Sequence, residues 1–380
     1  MKLKNILSMV CFLCLVFSCS MEDDVLNEFD YSQKDQIALS DAKAAVAFKV
    51  TLPTGNMTKT VSSGGKEEPT EAECAIDHCS LILADATGAI LTVDDQVYVN
   101  KTNTFTINGA SYDSVVVASS ATSEQIIKHM VKVGKVYQVM IIANSNQTFA
   151  SCTSISAAEE KVQEGFTTSL VKVGRGAIDL TNVEGYSSTT ESAEKPVFAS
   201  VTLYQLSARI ELAGFAIKEF IKGTESTDVV INSIQVSNIN TKSYLTETAK
   251  YGVTAYISDS KSYENGVTVY TAGSDLNNMY SFIDNKNVKT FYSYRNSANA
   301  QNKLKMTIQY TVGGVQKTSK EFVINGTESG GTGSIDSNTI YRLYVTASVT
   351  SDELILDNVL CYVKDWGFVE VNVGNLEEQN

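Results

Sequence analysis

The chain has 380 residues, with 30 Lys+Arg against 43 Asp+Glu and a formal net charge of −13. That length suits about two domains, and a 43% hydrophobic, 19% charged composition is that of a folded chain. The acidic balance excludes nucleic acid, whose phosphates need a basic face, and two His leave little of the chemistry that imidazole serves.

The N-terminus reads as a secretion signal, residues 1–18. Lys2 and Lys4 form its basic region and Ile6 to Phe17 its apolar core, too short to span a bilayer. It ends in Leu15-Val16-Phe17-Ser18-Cys19, followed by the acidic Ser20-Met21-Glu22-Asp23-Asp24. This is similar to a bacterial lipobox, in which Cys19 becomes the lipidated first residue and ties the protein to a membrane. Of the remaining cysteines, Cys74, Cys79, Cys152 and Cys361 survive processing, and three pairings are open to them. Cys74-x4-Cys79 lacks the partners of a metal site.

Beyond the signal the pattern is that of strands. Val46, Phe48, Val50 and Leu52 point one way, with Ala47, Lys49 and Thr51 opposite, giving a first strand over about 44–52. Residues 54–73 (TGNMTKTVSSGGKEEPTEAE) lack periodicity and read as an exposed, protease-accessible loop. Further strands are predicted at 79–84, 91–99, 136–143, 201–212, 231–236, 304–310, 341–346, 354–363 and 368–373. The run Val136 to Ala143 is nearly all apolar, as in a strand covered on both faces. A parity switch between Leu203 and Leu206 predicts a β-bulge. Helices are expected only over 123–131 and from a capping box at Ser156-Ala157-Ala158-Glu159. Residues 183–195 have a linker's composition, which places a boundary at Pro196 between domains 19–195 and 196–380. The fold class is mostly β, two sandwich-like domains with few short helices.

No motif of known catalytic spacing occurs. Val173-Gly174-Arg175-Gly176 and Gly330-Gly331-Thr332-Gly333-Ser334 read as turns. His78 reads as a structural residue and His129 as a surface one. Adjacent acids such as Asp94-Asp95, Glu67-Glu68 and Glu159-Glu160 do not converge on a strand, where neighbours face opposite ways. A glycan cleft would need aromatics, and Trp366 with scattered Tyr, among them Tyr292 and Tyr294, are what the chain offers. The reading is of a non-enzyme with no cofactor and no metal site.

One arrangement does carry meaning. A detachable first strand is followed by a loop with Lys59, and an alternating tail over about 367–374 follows Asp365-Trp366, with Val369, Val371 and Val373 on one face. These are the parts that donor-strand assembly requires. Together with Cys19, the chain resembles the Bacteroidales fimbrillins, FimA-type subunits of type V pili, along essentially its mature length. The resemblance rests on Ala45–Val50, Cys79–Gly88, Gly134–Asn144, Ser207–Leu212, Asn338–Val345 and Val363–Trp366.

It implies two transthyretin-like β domains and a pilus subunit serving cell adhesion. Such a subunit is exported as a lipidated precursor to the outer membrane. An Arg- or Lys-specific surface protease then cuts it after the first strand, and a neighbour's tail fills the vacated groove in the extracellular fimbrium. The implied cut follows Lys59, leaving Thr60 first, with Lys66 as second choice. No Arg precedes Arg175, so the enzyme must cut after Lys. The removable strand would carry Val46, Phe48, Val50 and Leu52, and the implied partners are other pilus subunits, of the same kind or at tip or anchor. Two other readings are an uncut anchor and a monomeric surface lipoprotein that binds glycan or a host ligand.

Overall fold

The computed structural model describes residues 42–51, 73, 75–100, 104–107, 110–113, 116–118, 127–183, 185, 196–221, 227–273, 288–326, 331–350 and 353–365. Cys19, Lys59, Thr60, Lys66, Leu52, Trp366, Val369, Val371 and Val373 lie outside them, as do Cys74 and the acidic pair at 67–68.

The described chain is almost entirely β. In the first half the elements are β1 (Lys43–Thr51), β2 (His78–Ala84), β3 (Ile90–Asn100), β4 (Thr104–Ile107), β5 (Ala110–Asp113), β6 (Val116–Ala118), β7 (Lys128–Lys132), β8 (Val136–Ala143), the single-turn helix α1 (Ile155–Glu159), β9 (Val162–Glu164), β10 (Lys172–Asp179), β11 (Val197–Thr202) and β12 (Tyr204–Gln205). The second half adds β13 (Ala208–Phe220), β14 (Val229–Asn240), β15 (Lys242–Tyr244), β16 (Tyr256–Tyr270), β17 (Thr290–Ser293), β18 (Lys305–Val312), β19 (Val315–Thr318), β20 (Phe322–Val323), β21 (Thr339–Val349) and β22 (Leu354–Asp365).

Nine strands of the first half form one sheet in the order β11-β1-β6-β3-β2-β8-β10-β12, with β7 also on β1. Its concave face holds Val46, Phe48, Cys79, Leu81, Leu83, Val139, Ile141, Ala199 and Val201. The opposite face, with Ile82, Met140, Ile142 and Val173, is covered by Phe149, α1, Leu245 and Tyr294. With both faces covered, β2 and β8 can be near-continuous apolar runs.

The second half is a sandwich. A four-stranded sheet β17-β13-β21-β22 faces a sheet built from β16-β14-β18-β19 with β20. The sequence Lys305-Met306-Thr307-Ile308-Gln309-Tyr310-Thr311-Val312 shows why: every second residue is buried, the rest partly solvated.

Several expectations need correction. The strand after Pro196 does not open the second domain: β11 pairs in parallel with β1, from Val46 opposite Val197 to Thr51 opposite Thr202. The crossing to the second half comes at Leu206–Ser207, and the parity switch there is a break in the chain's path, not a bulge. Leu203 enters one core of the first half and Leu206 the other.

The helix expected over 123–131 is contradicted at its end, because 128–132 is β7, laddered to β1. Tertiary pairing overrides a weak local pattern. The helix cap is Ser154, not Ser156: its hydroxyl accepts from Ala157 N at 3.2 Å, and no carboxylate completes a box. Val173–Gly176 is strand, not turn.

The two glycines in that strand have a packing cause. β10 lies against β11, bringing the two ends of the curled sheet together. A side chain at Gly174 would run into the Thr202 carbonyl and lie within 2.8 Å of Val201. Gly174→Val is therefore expected to cost at least about 1–3 kcal/mol, read from the urea midpoint, since neither a carbonyl nor a buried valine can give way.

Candidate functional site

The first strand is held on both sides. One edge pairs with β11, and the other runs antiparallel to β7, from Lys43 opposite Lys132 to Ala47 opposite Lys128, before Lys49 meets Val116 of β6. Ala45, Val46, Ala47 and Phe48 are each 0% exposed. Val50 is in register with Val201 through its backbone. β1 is thus an interior strand, and taking it out would leave β11 on one side and β7 and β6 on the other with unpaired N–H and C=O groups, over an apolar floor.

His129 sits on this groove, not on the open surface expected of it. Its Nε2 lies 2.5 Å from Asp94 Oδ2, and its ring meets Phe48 edge-on at 5.8 Å between centroids. Asp95, on the other face of β3, accepts from the Phe149 and Ala150 amides at 2.8 and 3.0 Å. The two aspartates face apart, as adjacent strand residues must. His78 is likewise structural, with Nε2 3.0 Å from the Ser145 carbonyl. Burial, with Asp94's charge adding to it, pushes the Cys79 thiol up to about 12, so this cysteine is inert. Cys79, Cys152 and Cys361 are all unbridged.

The exposed loop expected over 54–73 is contradicted at its last residue, where the chain is clamped. Glu73 is fully buried, with its carboxylate 3.2 Å from Arg209 and accepting from Tyr292 Oη at 2.9 Å. Its carbonyl accepts from Gln205 Nε2 at 2.8 Å. Arg209 also binds Glu211 at 2.8 Å, and Glu211 binds Arg342. Burial disfavours the Arg209 charge, but Glu211 and Glu73 more than offset it and hold the guanidinium above its ordinary value. Lys172, also fully buried, donates to the Ala75 and Leu170 carbonyls at 2.9 Å each. The Asn144 side chain ties Ala75, Asp77 and Leu170 together.

These residues were not singled out as a site from the sequence, although a signal existed. Arg209 and Glu211 interrupt an apolar strand on one parity, and Arg342 stands opposite Glu211 in the parallel register of β13 and β21. The suggested aromatic patch has another use as well: Tyr292 holds Glu73, and Tyr294 is buried, donating to the Gly165 carbonyl at 2.9 Å.

At the other end, β22 is the outer strand of its sheet and exposes Ile355, Leu360, Tyr362 and Val363. It ends at Asp365, just before the predicted tail over about 367–374. Among the described residues no cluster of His, Cys, Asp or Glu could hold a metal ion, and no helix is long and apolar enough to cross a membrane.

No family model and no curated protein matches the chain. Solved structures do. A candidate cell adhesion protein from Parabacteroides distasonis aligns at 18% identity over 87% of this chain and 99% of its own, with a TM-score of 0.51. A fimbrilin from Porphyromonas gingivalis W83 aligns at 11% identity, again over 87% and 99%, with a TM-score of 0.50. At such identities the likeness establishes the fold, which this chain shares with both proteins.

Proposed function

We propose that the chain is a structural pilus subunit that polymerises by donor-strand exchange and serves cell adhesion. It would reach the outer membrane as a lipoprotein through Cys19 and be cut after Lys59 by a Lys-specific surface protease. A neighbour's segment over about 367–374 would then enter the groove of β1, with Val369, Val371 and Val373 taking the places of Val46, Phe48 and Val50. The observation that carries this reading is the placement of β1, an interior strand bounded downstream by a separately clamped segment at Glu73. The shared fold with a fimbrilin supports it.

The energetics follow. Val46 and Phe48 contribute about 1.5–3 kcal/mol each by burial, and a donor strand that restores the ladder conserves the backbone hydrogen bonds. While β1 is covalently attached, its high effective concentration keeps a donor out, so cleavage acts as the switch.

Fibres sheared from the native cell surface are expected to start at Thr60 and to run as a ladder of heat-sensitive oligomers. Lys59→Ala combined with Lys66→Ala should abolish both the new N-terminus and the ladder. A wild-type protein that begins at lipidated Cys19 and stays monomeric on the membrane would sink the subunit reading. It would favour an uncut anchor or a ligand-binding lipoprotein instead.

A further inference from the structure

The strands that wall the β1 groove are not equally secured. β6 is also paired with β3, and β11 lies against β10, but β7 is laddered to β1 and to no other described strand. Removing β1 therefore takes away every ladder hydrogen bond that β7 makes among the described residues. The bond from the Val133 amide to the Ala42 carbonyl goes with it.

Ties independent of β1 are found toward both ends of β7. At the far end the Lys132 carbonyl accepts from Tyr137 Oη at 2.8 Å, and the Gly134 amide donates to the Leu180 carbonyl, also at 2.8 Å, fixing the turn into β8. Nearer the start, His129 stands opposite Val46 and Asp94 opposite Leu81, which puts both side chains on the concave face. Their 2.5 Å contact, Nε2 to Oδ2, crosses from β7 to β3, two strands that share no ladder. A carboxylate accepts and does not donate, so Nε2 carries the proton. Phe48 flanks this pair with its ring edge-on to the imidazole, and once β1 is gone that flank is turned to whatever strand enters.

We propose, resting on the strand-exchange reading, that the His129–Asp94 hydrogen bond is a latch that keeps β7 in register while the groove is open. The entering strand then meets an ordered row of N–H and C=O groups over Lys128–Lys132. His129 and Asp94 are positioning residues: while β1 is in place the ladder holds β7, and the latch matters once that ladder is lost. Ordering the wall beforehand removes a cost from strand entry, so the latch acts on uptake of the donor and not on the stability of the uncut chain.

The test cuts the full chain with a Lys-specific endoprotease in the presence of a fluorescent peptide of residues 366–380, which contains no Lys, and follows uptake by anisotropy. His129→Ala and Asp94→Ala should each slow uptake about tenfold, the weight of one charge-assisted hydrogen bond at a partly exposed site. The two together should be no slower than either alone. Asp94→Asn, whose amide oxygen still accepts, should recover most of the rate. The urea midpoint of every uncut variant should stay near that of wild type, because β1 still ladders β7. Uptake at the wild-type rate in the alanine variants, or slowing matched by an equal loss of uncut stability, overturns the latch alone. A wild type that is cut and takes up no peptide overturns the strand-exchange reading and the latch together.

Discussion

Phe48→Ala is expected to destabilise the uncut chain by about 3–5 kcal/mol, the cost of emptying a fully buried aromatic site. The residue is 0% exposed in a core shared with Val46, Leu81, Val139, Ile141 and Val201, all on strands hydrogen-bonded into one sheet. Such walls cannot collapse onto the void without breaking their ladders, which puts the site toward the costly end. The loss should appear as a lower urea midpoint at unchanged slope. Lys43→Ala, an exposed change on the same strand, should stay within about 0.5 kcal/mol. A Phe48→Ala chain as stable as wild type would mean that β1 is not integrated into the sheet. The same variant separates precursor from fibre: under the proposed processing Phe48 leaves with β1, so assembled, cut fibres should dissociate at the wild-type temperature.

Strand identity was legible wherever burial is set locally. Alternation at Lys305–Val312 and the apolar runs of β2 and β8 mark elements whose environment repeats every residue or every second one. What could not be read was pairing between distant segments. β11 looks like the start of a second domain because it follows Pro196, yet its partner is β1, about 150 residues earlier, and parallel pairing leaves no hairpin signal. β7 lost its strand reading for the same reason, since its ladder lies with β1. Gly174 and Gly176 resemble a turn until β11 is laid against them. His129 looked like a surface residue because neither Asp94 nor Phe48 is near it in sequence. The clamp at Glu73 is the largest omission, and it is made of charges that a core pattern would discard.

That clamp yields the other large effect. Glu211 is fully buried and serves two guanidiniums, Arg209 and Arg342, so Glu211→Leu takes one carboxylate from each of two buried cations, Arg209 keeping Glu73. Removing one partner from a buried ion network costs about 3–5 kcal/mol, most of it the desolvation of the charge left behind. The network as a whole need not stabilise the fold. Replacing Glu73 and Glu211 with Leu and Arg209 and Arg342 with Met should come out between neutral and about 1–4 kcal/mol more stable than wild type. The single variant is therefore expected to lose stability while the quadruple variant does not, a split that a surface network would not show. Glu211→Leu costing less than about 1 kcal/mol would show the charges to be solvated. Position should separate the variants further. Ala75 and Asp77 remain tied through Lys172 and Asn144, so hydrogen exchange at the Asp77 amide should stay slow in the quadruple variant. If exchange there accelerates, the charges rather than the Asn144 side chain fix the segment that follows the predicted cut. The buried ions would then set where the chain remains attached once β1 is gone.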